Sequence, residues 1–139
     1  MKPDVYLDID GVILANDLNP ANYAREFLKL VINHYPTYWL TTHCKGDAAA
    51  AVKRLAEVFE PEMIPLLNKV QATDWDAAKT DGIDFSRPFL WFDDDLFLEE
   101  KVVLQRYDVL DNFIKVDLFK DENQLADFLL SFPIPVNGY

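Results

Sequence analysis

Phe89-Leu90-Trp91-Phe92 is four apolar residues without a polar interruption, ended abruptly by Asp93-Asp94-Asp95. A strand with one wet face alternates apolar and polar residues, whereas a run without alternation is covered on both faces, the condition met in a parallel sheet flanked by helices. Two further runs stop in the same way: Val5-Tyr6-Leu7 runs into Asp8 and Asp10, with Gly11 behind them, and Tyr38-Trp39-Leu40 runs into Thr41 and Thr42. Between such runs the apolar residues recur at helical spacing. The pattern predicts strands over 4–9, 38–40 and 89–92 and within 113–118. Helices are expected from an Asn19-Pro20 start to near His34, then over a segment presenting Val52, Leu55, Ala56 and Phe59 before Pro61, and over 97–107. A last helix with Leu125, Phe128 and Leu129 should open on a capping-box-like pair, Asp121 and Gln124. Between 62 and 85 a short strand is expected around 63–67 and a short helix around 74–80, and the tail from Phe132 should wrap the surface. Strands alternating with helices predict an α/β fold, a three-layer, Rossmann-like doubly wound sheet, mainly parallel.

Its 139 residues fit a single domain, 1–139, and 50% apolar content is enough for a sizeable core. Thirteen Lys and Arg against twenty-four Asp and Glu leave a net charge of −11, which disfavours long nucleic acid and anionic membranes. The one cysteine, Cys44, excludes an internal disulfide framework and a multi-cysteine zinc site. Met1-Lys2-Pro3-Asp4 does not read as the start of a signal peptide, and the longest apolar run, 48–52, is far short of a bilayer span. A soluble, cytoplasmic protein is expected.

In open parallel sheets ligands bind beyond the carboxyl ends of the strands, and here those ends carry Asp8 and Asp10, Thr41 and Thr42, and Asp93, Asp94 and Asp95. Asp8 and Asp10, two apart on a strand, would point the same way. Such a concentration of carboxylates raises pKa values and destabilises a fold unless a cation sits among them. Oxygen-only ligands suit Mg²⁺, which keeps waters and substrate phosphate in its octahedron.

Val5-Tyr-Leu-Asp-Ile-Asp-Gly-Val-Ile-Leu14 resembles the first motif of the haloacid dehalogenase-like (HAD) superfamily of aspartate-nucleophile phosphatases, a hydrophobic strand followed by Asp-x-Asp-Gly-Val/Thr. Tyr38-Trp-Leu-Thr41 is similar to its second motif and Phe89-Leu-Trp-Phe-Asp-Asp94 to its fourth; Lys79 lies in the interval of the third, as does Lys69. The resemblance implies a Mg²⁺-dependent phosphohydrolase in which Asp8 attacks phosphorus and Asp10 is the general acid and base. Thr41 would hold a phosphate oxygen, and Lys79 would screen the phosphate. Asp8 through its carboxylate, Asp10 through its backbone carbonyl, and Asp93 or Asp94 would hold the metal. The intervals between motifs leave no room for a cap domain. A HAD-like core without a cap implies an open site, suited to a phosphate on something large or else to closure by a local loop, 17–22, or by a second subunit; the substrate itself, a phosphoprotein, nucleotide or other phosphate ester, small or macromolecular, is left open.

Other readings compete at several positions. Asp95 reads as the cap of the following helix, Thr42 as a core-facing side chain, and His34 as a helix-terminal residue favoured by the dipole. His43 reads as a solvated loop residue or a substrate contact, and Trp39, Trp75 and Trp91 as core. A response-regulator receiver domain has similar ingredients, but it carries its phospho-acceptor ahead of its Thr and Lys, and no strand-ending Asp lies between Gly11 and Thr41 here. The remaining alternative is a non-catalytic HAD-like module that binds metal or phosphate.

Overall fold

The computed structural model describes residues 2–42 and 45–136, so His43, Cys44 and the end of the tail lie outside the described residues. Strands β1 (Asp4–Leu7), β2 (Thr37–Trp39), β3 (Phe89–Asp93) and β4 (Phe113–Lys115) form an all-parallel sheet in the order β2-β1-β3-β4. Helices α1 (Ala24–His34), α2 (Ala48–Ala56), α3 (Ile64–Leu67), α4 (Leu98–Arg106) and α5 (Gln124–Ser131) intervene. The chain is thus α/β and Rossmann-like.

Successive side chains of a strand point to opposite faces, and here they enter two separate cores. Val5, Leu7, Leu90 and Phe92 join Phe27, Leu28 and Val31 of α1 and Leu125 of α5. Tyr6, Phe89 and Trp91 join Leu104 of α4 with Ile83 and Val109. Both faces being apolar and covered is why β3 reads without alternation. Phe92 meets the rings of Phe27 and Phe128 edge-on, each at 5.3 Å, contacts that contribute about 0.5–1.5 kcal/mol apiece beyond burial of area.

From β1 the chain passes to β2 on one side, and β3 lies on the other. The strand order reverses between β1 and β3, so a crevice opens at their carboxyl ends. Asp8 and Asp93 stand at that reversal.

Several elements differ from the sequence expectation. β1 ends at Leu7 rather than residue 9, because Ile9 turns away: its carbonyl accepts from the amides of Ile13 and Leu14, both at 2.9 Å. Asn19-Pro20 does not open α1. These residues close a hairpin-like loop in which Ala15 N–H donates to Asn19 O and Pro20 bridges Leu14, and the helix starts after Tyr23, at φ 66°. Phe59 is buried beyond the end of α2. The expected strand at 63–67 is a 3-10 turn (Pro61–Met63) running into α3. Pro61 and Pro65 sit at first-turn positions where a missing N–H costs nothing, and Met63 and Leu67, four apart, are the buried pair.

The extended segment of this region comes later, at 70–73. Gln71 N–H donates to Thr37 O and Gln71 O accepts from Trp39 N–H, both at 2.9 Å, in a parallel bridge to β2. In place of a helix at 74–80 there is a loop and then a 3-10 turn, Lys79–Gly82. α5 begins at Gln124, not Asp121, because the Gln124 side chain turns back to accept from Asp117 N–H while the Asp121 carboxylate accepts from Asn123 N–H. Thr42 is exposed, and Trp75 is half-buried beside Lys45. No helix among the described residues is long and apolar enough to cross a membrane.

Candidate active site at the carboxyl ends of β1 and β3

Asp8 follows β1 directly. Its amide donates to Phe92 O across to β3 at 3.1 Å, so the backbone under the carboxylate is part of the sheet's hydrogen-bond network. The side chain is 7% exposed; Oδ1 accepts from Ile9 N–H at 2.9 Å, and the Thr41 hydroxyl hydrogen-bonds the same carboxylate. Thr41 is itself buried, carried there by Leu40, whose N–H donates to Leu7 O.

Asp93 closes β3, fully buried. Its Oδ2 accepts from Lys79 Nζ at 2.7 Å and from Trp91 Nε1 at 3.2 Å, and its Oδ1 accepts from Asp95 N–H at 3.2 Å. Lys79 Nζ also lies 3.4 Å from Asp8 Oδ2 and so joins the two strand ends. Asp8, Asp93 and Asp94 each offer a carboxylate oxygen within 4.8 Å of one another. Lys69 is exposed in the turn after α3, so of the two lysines only Lys79 reaches these carboxylates.

Asp10 departs from the expected geometry. With β1 over, buried Ile9 intervenes and Asp10 is exposed, bridged through its backbone to Leu14. Residues 8–10 lie beyond the end of β1, so strand alternation does not set the direction of Asp10 relative to Asp8. Asp10 borders, with Gly11 and Asp94, a cleft of about 600 Å³. Asp95 does not cap α4: its carboxylate accepts from Leu96 N–H, and the residue ahead of the helix is Phe97.

The electrostatics follow from burial in a crowded site. Burial raises the Asp8 pKa against the pull of Lys79. Burial and the Asp8 charge push Asp93 up to about 6, and burial and Asp93 do the same for Asp94. Burial works against the Lys79 ammonium, but Asp8 and Asp93 outweigh it and the pKa lies above the ordinary lysine value. Three carboxylates share one lysine. The donor set is oxygen only and anionic, and it fits a hard divalent cation such as Mg²⁺.

Two contributors escaped the sequence reading, and a third, Gly11, was legible as a turn but not as a close approach to Asp94. Buried Glu100 accepts from Lys79 N–H at 2.9 Å through one oxygen and from Phe97 N–H at 3.1 Å through the other, tying the lysine turn to the start of α4. The only hint was its place three residues after the cap. Trp91, legible as core, also supplies an N–H to Asp93. Gly11 has φ +82°, and a Cβ there would run into the Asp94 carboxylate, so glycine permits both the turn and the close approach. Comparison of the chain with known protein families, curated proteins and solved structures finds no match.

Proposed function

We propose that the chain is a divalent-cation-dependent phosphomonoester hydrolase that works through an aspartyl-phosphate on Asp8, built on a three-layer HAD-like core without a cap. The observation that carries this reading is the joining of Asp8 and Asp93 by Lys79 at the strand-order reversal, with Asp94 completing a cluster of oxygens within 4.8 Å. Burial of both sheet faces supports three layers. The interval from β1 to β2 is taken up by the hairpin-like loop and α1, which supports the capless reading.

Asp8, Asp93 and Asp94 would hold the metal, with the Asp10 carbonyl beside them, and Mg²⁺ bound there would neutralise charge on the phosphate. The rest is the work of the chain's own groups. An Asp8 carboxylate oxygen forms a bond to phosphorus as the bond to the alcohol oxygen breaks, and Asp10 delivers a proton to that departing oxygen. Water then attacks phosphorus, Asp10 takes its proton, and Asp8 leaves as a free carboxylate with inorganic phosphate. The Lys79 ammonium lowers the repulsion between a buried carboxylate and a phosphate dianion. The Thr41 hydroxyl, a hydrogen-bond partner of the Asp8 carboxylate, would donate to a phosphate oxygen once substrate is bound.

The test is hydrolysis of an aryl phosphate with and without Mg²⁺ by wild type and Asp8→Asn. The expected result is Mg²⁺-dependent turnover that the variant lacks while keeping its circular dichroism spectrum. Variant activity within tenfold of wild type would remove Asp8 as nucleophile.

A further inference from the structure

The cleft beside the carboxylates has two walls, each a short turn that fixes its own shape. In the first, Leu18 N–H donates to Ala15 O and Asn19 N–H to Asp17 Oδ1, at 2.9 and 3.0 Å, and Leu18 takes φ 66°. In the second, Lys120 N–H donates to Asp117 Oδ1 and Asp121 N–H to Asp117 O. Asn22 Nδ2 donates to Asn123 Oδ1 at 3.0 Å and ties the two walls at one end.

Each turn leaves one large apolar side chain in water. Leu18 is 54% exposed and Phe119 is 84% exposed, and both line the cleft. Solvated apolar groups on two internally hydrogen-bonded turns that line one cleft form a surface that gains by covering something apolar. Among the described residues lining the cleft away from Asp10 and Asp94, the charged ones are Asp17, Asp117 and Glu122 against Lys115. A second anionic group on a ligand would meet repulsion there.

We propose that this cleft receives the alcohol part of the phosphomonoester, and that the preferred alcohol is an uncharged, ring-bearing one held between Leu18 and Phe119. This rests on the phosphohydrolase reading above, since Asp94 belongs to the carboxylate cluster and also lines the cleft, as does Gly11, which packs against Asp94. About 600 Å³ lies within the range of small-molecule sites and holds a ring with substituents. A phosphate placed at Asp8 would then direct its alcohol between the two turns, with Asp10 beside the oxygen that leaves.

The experiment compares benzyl phosphate, propyl phosphate and 4-carboxybenzyl phosphate as substrates of the full chain with Mg²⁺, chosen because all three release primary alcohols of similar basicity. The expected kcat/KM for benzyl phosphate exceeds each of the others at least tenfold, mainly through KM. Phe119→Ala and Leu18→Gly reduce the benzyl-to-propyl ratio to threefold or less. Glycine accepts φ 66° without strain, so the second variant keeps its turn. Equal hydrolysis of the three esters by wild type, or a ratio that survives both substitutions, overturns the cleft assignment and leaves the phosphohydrolase standing. Hydrolysis of none of the three by a chain that does turn over an aryl phosphate also overturns the cleft assignment, whereas failure on the aryl phosphate as well overturns the phosphohydrolase reading and this inference with it.

Discussion

At Asp93 a single carboxylate meets an ammonium, an indole N–H and a backbone N–H. It nevertheless titrates near 6, because burial and Asp8 oppose its charge more than these donors favour it. Asp94, less deeply set, is raised to about 6 as well. A carboxyl in the unfolded chain titrates near 3.8. Between that value and about 6 the folded chain therefore binds more protons than the unfolded one, and stability falls as pH rises through this window. The metal-free protein should show a higher urea midpoint at pH 5 than at pH 7.5 in the presence of chelator. Asp93→Asn should flatten the profile, and a midpoint that is level or rises with pH would contradict the site's electrostatics. Asp10, exposed at the edge of the cleft, is tested through catalysis. Asp10→Asn should lower kcat by roughly 10²–10⁴, the usual worth of general acid–base catalysis, with the smallest loss for leaving groups that need no proton. Equal losses for nitrophenyl and benzyl esters would count against Asp10 as the acid.

Among the elements, those set by their own residues were legible in the sequence and those set by a neighbour were not. β3 announced itself through four apolar residues, and the body of α1 through Ala24, Phe27, Leu28 and Val31 at helical spacing. The segment 70–73 is extended because Thr37 and Trp39 of β2 offer it partners, a fact outside its own side chains. The carboxylates at the two strand ends could be named in advance, but Lys69 and Lys79 carry the same charge in the same interval. Only the Lys79–Gly82 turn, anchored by Glu100, separates them. Glu100→Gln tests that anchor. An amide has one accepting oxygen where the carboxylate has two, so either Lys79 N–H or Phe97 N–H loses its partner, at a cost of about 1–3 kcal/mol. Urea unfolding should register that loss, and KM for an aryl phosphate should rise as Lys79 loosens. A change below about 0.5 kcal/mol, within the range of ordinary surface substitutions, would mean that Glu100 does not hold the turn.

For the whole molecule the decisive quantity is the net charge of −11, with Asp8, Asp93 and Asp94 gathered in one cluster. A divalent cation that binds the folded chain and not the unfolded one stabilises it by RT ln(1 + [L]/Kd), about 2.7 kcal/mol at a hundredfold excess over Kd. Thermal melts in chelator and in millimolar Mg²⁺, at constant ionic strength so that screening is held fixed, should show a Mg²⁺-specific rise in Tm. Asp94→Ala should melt at or above the wild-type temperature in chelator, having lost a repelling charge, and should lose most of the rise. A full Mg²⁺ response in that variant would exclude Asp94 from the metal site.

The claim on which all of this turns is a covalent bond between Asp8 and phosphorus, and it can be trapped. Acid-quenching the enzyme during turnover of an aryl phosphate with Mg²⁺, then reducing with borohydride, converts an aspartyl-phosphate to homoserine, which peptide mass spectrometry locates. Homoserine is expected at position 8, dependent on both substrate and Mg²⁺. Turnover that leaves Asp8 unreduced, or homoserine at Asp10 or Asp93 in its place, would contradict the assignment.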